Sequence, residues 1–126
     1  MRQQQLMREM FSEMVEKKNV SLVPRYYHPD FVLETNGQRQ GFADFLAGHE
    51  RVYATAIRYE IRYDESSWVE SGDKLAARLW ITTQRPGEAP TQIEVVLIAT
   101  YIGNLIGHLL ELTWPDWTRV KALDSY

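Results

Sequence analysis

The sequence predicts an α+β fold: three helices from the N-terminal half packed on a strongly curved mixed or antiparallel sheet, a cone with an apolar hollow. Three observations carry this. Two helical patterns open the chain, and a third follows a short hairpin signal. From Ile57 to Trp114 nearly every residue belongs to long runs of strand character, several with clear period-two alternation. The breaks between those runs are short and marked by Gly, Asn or Pro. No repeat, linker or low-complexity tract interrupts this order, so residues 1–126 read as one domain with helices first and a meander afterwards.

In the first helix Leu6, Met7, Met10, Phe11, Met14 and Val15 share one face at three- and four-residue spacing. Gln3, Arg8, Glu9, Glu13 and Glu16 lie mostly on the other. Lys17-Lys18-Asn19 suits the C-terminus, where cations meet the helix dipole and Asn19 can close the last turn. Ser21 then caps a shorter helix with Pro24 in its first turn. His28 precedes Pro29, which disfavours helical geometry, so that helix stops there.

Phe31 to Thr35 reads as a strand, Asn36-Gly37 as a tight turn, and Gln38 to Gln40 as the return. Gly41 opens a third helix whose stripe is Phe42, Phe45, Leu46, His49, Val52 and Tyr53. Ile57, Tyr59, Ile61 and Tyr63 alternate with Arg58, Glu60, Arg62 and Asp64, a half-buried strand. Leu75, Ala77, Leu79 and Ile81 alternate with Ala76, Arg78, Trp80 and Thr82. Two further strands cover Thr91 to Ile102 and Leu105 to Trp114.

Composition narrows the function classes. A hydrophobic fraction of 44% with 25% charged residues is that of a folded domain, so disorder is not expected. The net charge of −3 comes with scattered Arg and Lys, which points away from nucleic acid and from an anionic membrane surface. The chain has no cysteine, which excludes disulfides, a thiolate nucleophile and cysteine metal sites. No secretory leader or membrane span is legible, and a reducing cytoplasm is the simplest location. His28, His49 and His108 match no metal spacing, and no Gly-rich phosphate loop or G-x-S-x-G elbow occurs. Neither a metal nor a cofactor is expected.

In YYHPDF, TNGQRQGFADF, SGDKLAARLWITT and IGHLLELTWPDW, taken in this order, the chain resembles the nuclear transport factor 2-like superfamily, and within it the SnoaL-like branch. The resemblance implies a cystatin-like cone: a bent sheet enclosing a hydrophobic pocket closed by helices, with frequent homodimerisation through the sheet. It also implies a spread of functions, from isomerases, cyclases, epoxide hydrolases and dehydratases to non-enzymatic binding modules. The enzymes of this group use buried carboxylates with tyrosine, arginine or histidine.

The resemblance directs attention to the last strand, where cyclases and epoxide hydrolases carry an aspartate. Here the matching position holds Trp114, and Asp116 lies two residues further on. A steroid-isomerase-type base would lie near Glu34, although the parity of that strand points Glu34 to the other face. The arginine–aspartate pair of epoxide hydrolases maps to Trp80 and Thr82, so neither epoxide hydrolase nor SnoaL-type cyclase activity is expected.

From the residues themselves, His49 is either a proton carrier at the pocket wall or a core histidine bonded to a backbone carbonyl or a tyrosine. Arg78 and Trp80 share a strand face; inward they would grip an anionic or aromatic ligand, outward they would anchor a dimer, and the epoxide hydrolase mapping favours inward. Glu94 and Glu111 read as solvated or interfacial acids.

The expected pocket lining is Met10, Met14, Tyr27, Phe45, His49, Arg78, Trp80 and Trp114, with Glu34, His49 and Asp116 as candidate catalytic groups. The leading function is a homodimeric cone holding an apolar or aromatic small molecule, with isomerase, cyclase or hydratase chemistry left open. The rival is a non-catalytic module that binds a protein on its sheet surface. A buried carboxylate facing a void favours the first; a hollow plugged by Trp80, Trp114 and methionines favours the second.

Overall fold

A computed structural model of the chain describes residues 2–116. Helix α1 (Arg2–Glu9) continues without a break into a π-helical segment, Met10–Glu16, whose looser winding turns Met10, Phe11 and Met14 inward together. The segment closes differently from the expectation. Lys18 takes the left-handed conformation, with φ 53°, and the Asn19 N–H donates to the Met14 carbonyl at 2.9 Å. The Lys18 ammonium donates to the Thr55 carbonyl, a long-range contact that helps hold a conformation rarely taken by lysine.

A single 3₁₀ turn (Val20–Leu22) leads into α2 (Val23–Tyr26), with Pro24 in its first turn as expected. Ser21 does not cap the backbone; its hydroxyl bonds the Asn19 side chain at 2.5 Å. Tyr27 is already extended, so β1 (Tyr27–Thr35) starts earlier than the sequence pattern suggests, with an irregularity between Tyr27 and Val32. Asn36 and Gly37, at φ 49° and 83°, make the tight turn into β2 (Gln38–Gly41), and α3 (Phe42–Tyr53) follows.

The remaining strands are β3 (Arg58–Tyr63), the short β4 (Val69–Ser71), β5 (Lys74–Gln84), β6 (Thr91–Ile102) and β7 (Leu105–Trp114). The sheet runs β2-β1-β7-β6-β5-β3, with β4 also on β5, and it is open, not closed into a barrel. Every pairing is antiparallel except β1 with β7, which makes the sheet mixed. Three helices packed on this sheet give the α+β cone. Among the described residues no helix is long and apolar enough to cross a membrane.

Parity decides which side chains meet the helices. On β5 the buried set is Leu75, Ala77, Leu79, Ile81 and Thr83. Arg78 and Trp80 therefore face away from the hollow, which corrects the inward placement. On β7 parity changes partway. Thr100 pairs with His108 but Tyr101 pairs with Ile106, leaving Gly107 as an extra residue, a β-bulge. The buried positions then run Ile106, Leu109, Glu111 and Thr113. Ile102 lies over Gly107, where a Cβ would come within 2.5 Å of its Cδ1, so any side chain there must displace it. This one bulge turns Glu111 inward and leaves Trp114 outward.

Candidate functional site

The concave face of the sheet and the inner sides of the helices enclose a cavity of about 490 Å³. Met10, Phe11, Met14 and Val15 come from the π-helical segment; Phe45, His49, Val52 and Tyr53 from α3; Tyr27, Leu33 and Thr35 from β1. Tyr59, Ile81, Leu109 and Glu111 complete the sheet side, and polar residues of the β1–β2 hairpin and α3 rim the opening. A cavity of this size, apolar with few polar groups, has the character of a small-molecule site.

Glu111 is the acid the sequence reading underrated. It is 7% exposed, and its Oε1 accepts a 2.9 Å hydrogen bond from Thr35, its neighbour across the parallel β1–β7 pairing. Among the described residues its other oxygen has no protein partner. Burial pushes its pKa up to about 7, while the Thr35 hydrogen bond pulls the other way. Both protonation states are thus populated near neutral pH. The sequence signal for this placement was Gly107, since an isolated glycine inside a strand marks a bulge and hence a change of parity.

His49 lines the cavity and bonds a backbone carbonyl. Its Nδ1 lies 2.8 Å from the Phe45 carbonyl, which can only accept, so Nδ1 carries the proton and Nε2 the lone pair. Burial lowers its pKa, partly offset by that hydrogen bond, so the ring is neutral at pH 7. It also stands in a row of rings along α3, 4.1 Å from Phe45 and 5.3 Å from Tyr53 between centroids.

Tyr27 and Tyr53, two of the three tyrosines that line the hollow, bring phenol groups to it. The Tyr53 hydroxyl is buried without a partner, and the Tyr27 hydroxyl reaches only the Met10 sulfur at 3.4 Å, a weak acceptor. Burial pushes both pKa values well up, and the charges that Tyr53 and Glu111 can carry add to the effect at Tyr27. Both phenols therefore stay protonated and act as donors.

Of the residues expected in the pocket, Met10, Met14, Tyr27, Phe45 and His49 come together around the cavity. Arg78, Trp80 and Trp114 do not. Arg78 holds Asp64 at 2.7 Å and Glu94 at 3.2 Å on the convex face, and the guanidiniums of Arg62 and Arg78 both lie over the Trp80 ring. Trp114 is 75% exposed. The hollow is therefore not plugged by either tryptophan. Of the candidate acids, Glu34 turns outward as parity indicated, 2.9 Å from the His108 ring and 3.8 Å from Arg39. Asp116 accepts from the Asn36 amide at 2.9 Å and does not line the cavity. Trp117, the last residue of the motif IGHLLELTWPDW, lies outside the described residues. Among the described residues no group of His, Asp and Glu could hold a metal ion.

Residues 7–106 match the family model described as SnoaL-like domain. No curated protein sequence matches the chain significantly. Solved structures of the same fold include PrhC from Penicillium brasilianum NBRC 6234, at 15% identity and a TM-score of 0.74, covering 100% of this chain and 98% of that one. IdmH of Streptomyces antibioticus, named as a candidate polyketide cyclase, gives 11% and 0.71 over 90% and 93% of the two chains. An M. tuberculosis LEH-like epoxide hydrolase gives 15% and 0.70 over 83% and 77%. At these identities the likeness is one of fold.

Proposed function

Because the chain belongs to the SnoaL-like domain family, we propose that it binds an apolar or aromatic small molecule in its hollow and moves a proton on it, with Glu111 as the proton carrier. The observation that carries this reading is a buried carboxyl with one free oxygen in an apolar cavity, titrating near neutrality. The chemistry is that of an isomerase, cyclase or hydratase. The Glu111 carboxylate takes a proton from carbon next to a ligand carbonyl, and the C–H electron pair moves toward the carbonyl oxygen. The phenols of Tyr27 and Tyr53 donate to the oxyanion that forms. Returning the proton at another carbon completes an isomerisation. Neutral His49 offers Nε2 as a second proton acceptor from the α3 side of the cavity.

The cavity side of β5 carries Leu79, Ile81 and Thr83, with no arginine–aspartate pair, so epoxide hydrolysis stays outside this reading. The rival reading, a protein-binding sheet surface, finds a place as self-association. The convex face exposes Val96, Ile98, Leu110, Leu112 and Trp114, a patch too apolar to leave in water, and a two-fold dimer would cover it.

The test is hydrogen exchange on a panel of cyclic and aryl ketones in deuterated water, read by mass. The wild-type protein labels the carbon next to the carbonyl of at least one ketone, and Glu111→Gln slows that exchange by roughly 10²–10⁴-fold. Exchange that survives in Glu111→Gln removes Glu111 from the mechanism.

A further inference from the structure

Gly48 stands in the middle of α3, where glycine is less favourable than alanine. Nothing in the fold demands it. Its backbone is ordinary helix, and a Cβ built there meets no atom within 4 Å. Yet Gly48 lines the cavity, so the missing side chain leaves a gap in the wall. Asp44 precedes it by one turn and Arg51 follows by one, both exposed and both on the cavity rim. Across the opening the β2 hairpin contributes Gln38, Arg39 and Gln40. The rim thus carries two cations against one acid on a chain of net charge −3. Arg39 lies 3.8 Å from Glu34, whereas Arg51 has no charged partner among the described residues.

We propose that the gap at Gly48 is the ligand portal, and that the ligand is an amphipathic acid whose apolar body fills the hollow while its anionic end stays at the gap against Arg51. This rests on the cavity being a ligand site and names its route and substrate class. The geometry orients the ligand: the uncharged end meets Glu111, Tyr27 and Tyr53, where a second negative charge would oppose that of Glu111 in low dielectric. The charged end keeps its water at the rim and gains an exposed ion pair.

The test compares naphthol with hydroxynaphthoic acid, two fluorescent probes that differ by one carboxylate, in wild type, Arg51→Gln, Gly48→Phe and Gly48→Ala. The acid is expected to bind wild type roughly fivefold more tightly than naphthol, the size of one exposed ion pair, and to lose that preference in Arg51→Gln. Gly48→Phe, which fills the gap, is expected to slow association of the acid by at least about tenfold. Gly48→Ala is expected to raise the melting temperature, as for a helix glycine with no packing duty. Equal binding of both probes, a preference that survives Arg51→Gln, unchanged association in Gly48→Phe, or a lower melting temperature in Gly48→Ala each overturns the portal alone. Binding of neither probe to wild type overturns the portal and the cavity reading beneath it.

Discussion

Strands β5, β6 and β7 present two faces built from alternate residues of the same segments, and the faces treat charge in opposite ways. On the convex face every acid with a resolved contact has a cationic or hydrogen-bonding partner. Asp64 is held below its usual pKa by hydrogen bonds from Ser66 and from Arg78, whose guanidinium also reaches Glu94. On the concave face of these strands Glu111 has a single neutral side-chain partner among the described residues, and burial drives its pKa up to about 7. A difference of one residue in strand parity separates an acid that serves as half of an ion pair from an acid able to exchange protons. The apolar residues divide in the same way: inward ones fill a core around a void, and outward ones form an exposed patch.

The largest expected effect tests whether the two faces differ in burial as described. Leu97 is 1% exposed and Leu112 is 63% exposed, on adjacent strands. Leu97→Ala should lower unfolding free energy by about 2–5 kcal/mol. Leu112→Ala, measured dilute enough to suppress association, should change it by less than about 1 kcal/mol. Denaturant melts giving the two variants similar losses would erase the distinction.

Next in size is the pH dependence that Glu111 imposes. Its folded pKa lies above the unfolded value, so the folded state holds an extra proton between about pH 4.5 and pH 7. Stability linked to this group is complete below the unfolded pKa and is lost as pH rises through the folded one, by about 3 kcal/mol in all. Glu111→Gln should therefore gain little at pH 4.5 and on the order of 3 kcal/mol at pH 8. A variant whose advantage does not grow with pH would place Glu111 in water.

The convex patch supplies the third measurement. Leu112→Glu puts a charge within the exposed apolar face, and should weaken the proposed self-association at least about tenfold in sedimentation. A wild-type protein sedimenting only as a 14.8 kDa species at micromolar concentration would remove the dimer altogether. The smallest effect belongs to Thr35. Its hydroxyl lowers the Glu111 pKa, so Thr35→Val should move the carboxyl titration upward by about one unit or less, visible by carbon NMR. A downward shift would show that Thr35 does not hydrogen-bond the carboxylate.

Much of this fold is legible in local pattern. The 3.6-residue stripe of α3, the apolar face of the N-terminal helical segment, the Asn36-Gly37 turn and the bounds of β6 and β7 follow from periodicity and turn chemistry, which act over a few residues. The inward stripe of α3 likewise brought Phe45 and His49 to the cavity. Local pattern also gave the early warning that Glu34 faces outward.

What the tertiary structure alone decided lies wherever two distant segments must agree. The sequence determined that β5 has one wholly apolar face, and hence which of its residues travel together. Which of those faces looks inward depended on the helices that cover it, and the answer sent Arg78 and Trp80 out. The parallel pairing of β1 with β7 brings Thr35 beside Glu111 across 76 residues of chain, and no periodicity records a partner that far away. The bulge at Gly107 is the sharpest case. A run that reads as one strand changes face partway, because Ile106 and His108 must both find places on β6 with one residue too many between them. That local misfit exchanges Trp114 for Glu111 on the inner face, and with it turns an apolar hollow into a site that can hold a proton.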